Sequence, residues 1–196
     1  MKIATPLVAG LAAAALLTGA AMSQTARQPD PMTAADERAV IEVIDAVGFY
    51  ADRDEWDRVA EQFHPDGVTI DYRSYATASA GTQAEPEPQS PQSVVEAWQT
   101  VLPGYDYTQH IIADHQVDVA GDEATSRANV HATHVLDGNH WVFLGDYEHR
   151  LVRTDGGWKI DRMTANLRAE LGDSDLPQRA TERVTNGQGR LAAAQN

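Results

Sequence analysis

Asp52, Tyr72, His110 and His134 are side chains of the types that can move protons without a cofactor. Asp52 follows Val40, Ile41, Ile44, Val47 and Ala51, which recur at threes and fours, so it falls at the end of an amphipathic helix. Tyr72 closes the alternation Val68, Ile70, Tyr72, the period of a half-buried strand. In 123–136, Ala124, Ser126, Ala128, Val130, Ala132 and His134 share one face, and Thr125, Arg127, Asn129, His131 and Thr133 share the other. The small apolar face is the one that helices would cover, which turns His134 inward and His131 outward. One strand earlier, His110 and Ile112 share a face and His115 lies opposite; one strand later, Trp141, Phe143, Tyr147 and His149 fall together. His110 and His134 are thereby placed to line one cavity with Asp52 and Tyr72.

A carboxylate beside a histidine fixes its tautomer and leaves the other ring nitrogen as a base near neutral pH. Duller assignments stand beside this one: a hydrogen-bonded core histidine, and a helix-end charge for Asp52. Two histidines and an aspartate can also ligate a metal, but no HxH or HExxH pair falls on a single face. Neither a metal nor a cofactor is therefore expected. With no cysteine, no GxSxG elbow, no P-loop and no GxGxxG opening a helix, covalent catalysis and nucleotide binding are not expected either.

The elements that must position these residues read as helices first and strands second. Thr33 and Asp36 resemble a capping box ahead of a helix over 34–53. A short helix carries Trp56, Val59, Ala60 and Phe63 and stops at Pro65-Asp66-Gly67, ahead of the strand at 68–72. The stretch 76–92 has no periodicity and reads as a long loop; Val94, Val95, Ala97, Trp98 and Val101 predict a helix over 93–102. Turn signals at 120–122, 137–139 and 155–157 then divide four strands, 108–119, 123–136, 141–153 and 158–167, into an antiparallel meander. That order predicts an α+β fold, a cone-shaped curved antiparallel sheet with N-terminal helices enclosing a pocket.

The chain is 196 residues long, with 15 Lys+Arg against 29 Asp+Glu, a formal net charge of -14. So acidic a surface argues against nucleic acid and anionic membranes as partners and leaves a small molecule as the expected one. Residues 1–23, a basic start, an apolar run from Ile3 to Leu17 and small residues ending Ala21-Met22-Ser23, have the layout of a cleaved signal peptide, with an uncleaved anchor as the alternative. The mature protein is then expected to be periplasmic or secreted. Residues 24–32 read as a disordered leader, 33–171 as one domain and 172–196 as a polar tail. An exposed sheet face carrying Thr125, Arg127, Asn129, His131 and Thr133 suggests a homo-oligomer.

The run DRDEWDRV from Asp52, then Ile70-Asp71-Tyr72-Arg73-Ser74-Tyr75, then Thr108-Gln109-His110-Ile111-Ile112, resembles scytalone dehydratase and, more broadly, the SnoaL-like group of the nuclear-transport-factor-like superfamily. The hairpin Asp155-Gly156-Gly157-Trp158-Lys159-Ile160 is also typical of that superfamily, and the resemblance spans roughly 33–171. It implies a cofactor-free elimination of water or a proton shift on a small carbonyl-bearing cyclic or aromatic compound. Asp52 would be the carboxylate, His110 the acid/base, His134 the second histidine, and Tyr72 the hydroxyl that polarises a substrate carbonyl. Tyr50, Trp98, Phe143 and Tyr147 would contact substrate, and dimers or trimers would be expected. The chain departs from that pattern: Ala51 rather than a tyrosine precedes the aspartate, with Tyr50 one residue further back, and the polar pair of the third long strand is replaced by Gly145 and Tyr147. The alternative function is ligand binding or assembly on the same fold without chemistry.

Overall fold

A computed structural model describes residues 31–72 and 85–190. The expected signal peptide, nearly all of the leader and part of the 76–92 loop lie outside those residues. Helix α1 (Pro31–Ala51) is followed by α2 (Trp56–Ala60), β1 (Thr69–Asp71), α3 (Pro91–Gln99) and a 3-10 turn at Leu102–Gly104. The long strands are β2 (Tyr107–Ala120), β3 (Glu123–Leu136), β4 (Asn139–Thr154) and β5 (Gly157–Gly172), and helix α4 (Leu176–Thr185) follows. The sheet is curved and open, in the order β1-β5-β4-β3-β2, and the helices complete an α+β fold. Its four long strands are antiparallel neighbours, whereas β1 joins β5 in parallel.

The meander follows from its turns. Asp137 and Gly138 have φ of 51° and 75°, the left-handed pair that a two-residue hairpin loop needs, and they set Leu136 opposite Asn139. Along β3 the strict alternation buries Ala124, Ser126, Ala128, Val130, Ala132 and His134 in turn. α1 crosses this face of the sheet and approaches it at β2 and β5. Val40, Ile44, Val47 and Ala51 are the buried stripe of α1, and they pack with Val59, Phe63, Leu151 and Ile160 into one core. Burying each of the larger aliphatics contributes roughly 1.5–3 kcal/mol.

Three carboxylates of α1 and its C-terminal end tie the helix to the sheet. Asp36 receives the Arg153 guanidinium at 2.7 Å and the Trp158 indole N–H at 3.4 Å, so it binds the β4–β5 hairpin instead of capping the helix. The helix also starts at Pro31, ahead of Thr33. Asp45 meets His115, and Asp52 meets His110. Gly48 sits where α1 crosses β2: a Cβ there would stand 3.0 Å from the Cβ of His110.

Three further sequence expectations are corrected. The segment after β5 is no tail: α4 buries Leu176 and Ala180 completely against Tyr105 and Leu136. Further on, Arg190 forms a two-point ion pair with Asp54 in the turn after α1. The described end of the 76–92 stretch is also ordered by pairing, since Val68 and Gln89 exchange both backbone hydrogen bonds and Ser90 caps α3. Finally, His115 does not lie on the opposite face. The β2–β3 register shifts between Ala113 and Gln116, with Asp114 at φ 57°, and this bulge turns the His115 side chain inward to 8% exposure.

Candidate active site

Between α1, α3, α4 and the concave sheet face lies a cavity of about 440 Å³. Its wall is mostly apolar, with Val47, Trp98, Phe143 and Met163 among the lining side chains, and it carries six tyrosine and histidine side chains: Tyr72, Tyr105, His110, His134, Tyr147 and His149. Pro177 of α4 also lines it, so the segment that read as a tail forms part of the wall.

Asp52 stands just past the last turn of α1 and reaches β2. One carboxylate oxygen lies 2.7 Å from His110 Nδ1, and the other accepts the His110 backbone N–H at 2.7 Å. Both side chains are largely buried, at 9% and 13% exposure. Burial pushes the Asp52 carboxyl up, but the His110 ring and amide more than offset it and hold the group below the usual carboxylate range. An ionised carboxylate only accepts hydrogen bonds, so Nδ1 carries a proton, and in the neutral ring the lone pair is on Nε2. With His110 lining the cavity, that arrangement sets an imidazole of fixed orientation and tautomer on the wall.

His134, across β3, lies edge-on to His110 with ring centroids 5.4 Å apart. Tyr105 and Trp141 pack against it at 4.8 and 4.9 Å. Burial, reinforced by the neighbouring His110, pushes its pKa down to about 3, so His134 is neutral at ordinary pH; its Nδ1 has no hydrogen-bond partner among the described residues. It is therefore no imidazolium acid.

Tyr72 occupies another part of the wall, where its hydroxyl oxygen accepts the Trp98 indole N–H at 2.8 Å. The residue as a whole is 41% exposed, but its hydroxyl end sits inside against Trp98. Burial there raises its pKa well above the ordinary phenol value, so it remains a protonated donor.

The structure thus gathers Asp52, His110 and His134, and sets Tyr72, Trp98, Phe143 and Tyr147 on the same cavity. Tyr50 is not brought in: its hydroxyl accepts from Arg58, whose guanidinium lies 3.8 Å over its ring, and it does not line the cavity. The rotation of about 100° per helical residue accounts for that. Among the described residues, no three His, Cys, Asp or Glu side chains converge as a metal site would need. Sequence reasoning missed Tyr105, Gly48 and Pro177. Tyr105 had only its place after Pro103-Gly104 to mark it, and Gly48 read only as a weak point in the helix.

Comparison with known proteins places this geometry in a family. A SnoaL-like domain model matches residues 32–164, and the chain belongs to that family. Among solved structures, the Kfla4162 protein of Kribbella flavida superposes with a TM-score of 0.66 at 25% identity, covering 74% of this chain and 99% of that one. A candidate aromatic ring hydroxylase of Novosphingobium aromaticivorans gives 0.62 at 24% identity, covering 74% and 97%. A candidate scytalone dehydratase of the same organism gives 0.57 at 19% identity, covering 72% and 89%. These likenesses establish the fold and leave the chemistry to the site. No curated protein matches the chain in sequence.

Proposed function

We propose that this protein is a cofactor-independent lyase or isomerase of the scytalone dehydratase type, acting on a small cyclic or aromatic carbonyl compound. The observation that carries this reading is the double contact between Asp52 and His110 on the wall of a mostly apolar cavity. With the substrate carbonyl at Tyr72, His110 Nε2 takes a proton from the carbon α to that carbonyl. The C–H electron pair moves into an enolate, whose oxygen is stabilised by the Tyr72 hydroxyl. The imidazolium so formed, held by Asp52, returns its proton to a leaving hydroxyl on the adjacent carbon. The C–O bond breaks as the C=C bond forms, and water departs. Returning the proton to carbon instead gives an isomerase.

A carrier or assembly protein on the same fold would be served by a wholly apolar cavity; the titratable groups Tyr72, His110 and His134 support the enzyme. The test is dehydration of 3-hydroxy-1-tetralone to 1-naphthol, followed by ultraviolet absorbance. Formation of 1-naphthol by the native protein and not by His110→Ala supports the reading. Equal rates for the two proteins would remove it.

A further inference from the structure

The cavity has a polar spot that the chemistry above does not use. His149 lines the wall and is 5% exposed, yet its Nδ1 has no hydrogen-bond partner among the described residues. Two further buried polar atoms without partners belong to the same patch. Among the described residues, Ser126, 5% exposed and directly opposite His149 on β3, has an unpaired Oγ, and His115 has an unpaired Nδ1 while its Nε2 meets Asp45 at 3.1 Å. Met163 lies opposite His149 on β5, and the Tyr147 ring is 6.1 Å away. Buried polar groups in folded proteins are nearly always paired, so an unpaired one on a residue of the cavity wall, with two more behind it, marks a place for a partner from outside the chain.

We infer that His149 is the second polar contact for whatever this cavity binds, and that it takes a hydroxyl or carbonyl oxygen at the end of the ligand away from His110. This rests on the reading above only in placing the ligand in the cavity with its carbonyl near His110 and Tyr72. Burial, with His115 adding to it, drives the pKa of His149 down to about 3. It therefore stays neutral and offers one donor and one acceptor, which suits an uncharged oxygen and disfavours a carboxylate. The two ends are well separated. His110 pairs with Ala132 and His149 with Ser126, six residues further along β3. At strand rise that is at most about 20 Å, shortened by the curvature of the sheet. The ligand class is thus an elongated, largely apolar molecule of about two rings with an oxygen at each end, rather than a single small ring.

The experiment titrates the full chain with 4-(4-hydroxyphenyl)cyclohexanone and with 4-phenylcyclohexanone, following fluorescence of Trp98 and Trp141 in the cavity wall. The two probes differ only in the distal hydroxyl. The native protein should bind the hydroxylated probe about three- to tenfold more tightly, the range for one neutral hydrogen bond. His149→Leu should abolish that preference while leaving the affinity for 4-phenylcyclohexanone unchanged, and His149→Gln, which keeps a hydrogen-bonding group, should retain part of it. The native comparison needs no substitution, so it stands even if a variant folds poorly. Equal binding of the two probes by the native protein, no binding of either, or a preference that survives His149→Leu overturns the inference. Binding is read here without turnover: a retained preference in a protein that eliminates no water would leave His149 in place and remove only the proposed chemistry.

Discussion

Asp52 holds His110 at two points, taking the ring Nδ1 on one carboxylate oxygen and the backbone N–H on the other. A single residue at the end of α1 therefore fixes both the strand position and the ring orientation of the proposed base. Asp52→Asn keeps the shape but can donate to Nδ1, which favours the tautomer whose proton sits on Nε2. Turnover should fall about 10²- to 10⁴-fold with little change in melting temperature, the range for losing a positioned acid/base. Steady-state kinetics beside a thermal melt checks this, and an unchanged rate would contradict the role given to the pair.

Tyr72 is assigned to the developing enolate oxygen. Tyr72→Phe keeps the ring and removes the donor, so kcat should drop about 10²- to 10³-fold, as for loss of one oxyanion donor. Trp98→Phe removes the indole N–H that Tyr72 accepts, together with part of the ring, and its effect on kcat should be smaller. A larger effect from Trp98→Phe would shift the role from Tyr72 to the indole.

The buried histidines make stability depend on pH. His134 and His149 both have folded pKa values near 3, against 6.5 for an unperturbed histidine. Between those values the unfolded chain binds more protons than the folded one, so stability is full above about pH 6.5 and is lost as pH falls toward 3. The slope should be at most about 1.4 kcal/mol per pH unit for each histidine. Denaturant midpoints measured from pH 7 to pH 4 should fall, and His149→Leu should flatten the fall. Identical slopes in native and variant proteins would mean that His149 is not buried as a neutral ring.

Helix α4 closes one end of the cavity. Leu176→Ala, at a fully buried position, should cost about 2–5 kcal/mol, and it should loosen the wall that Pro177 contributes. Chemical denaturation measures the first effect. Weaker binding of a cavity probe measures the second.

Gly48 predicts a gentler perturbation. A methyl group there meets the Cβ of His110 at 3.0 Å, so Gly48→Ala should displace β2 slightly and slow turnover while the helix itself gains about 0.5–1 kcal/mol in propensity. Reduced kcat with an equal or higher melting temperature is the expected pair of results.

Much of this architecture is written in local pattern. The inner face of β3 is readable because no bulge interrupts its period of two, and small residues mark the side turned to the core and cavity. His110 and His134 could be set on one cavity for the same reason. His115 could not, because the bulge at Ala113–Gln116 reverses the alternation, and a lone Asp114 in the left-handed region gives little warning. Helix α4 was hidden by composition. Leu176, Ala180 and Val184 form a stripe one residue wide in a strongly polar segment, and only Asp175 followed by Pro177 hints at a helix start. The burial of that stripe depends on Tyr105 and Leu136, distant in sequence, which no local window contains.

The central claim is that His110 Nε2 abstracts a proton from a carbon next to a carbonyl. The most direct measurement is deuterium incorporation into the α positions of 4-phenylcyclohexanone in D₂O, followed by proton NMR, since it reads proton abstraction without needing the natural substrate. The account predicts incorporation well above the buffer rate with the native protein and a return to that rate with His110→Ala. Incorporation that is unchanged by His110→Ala, or that never exceeds buffer in the native protein, would contradict it.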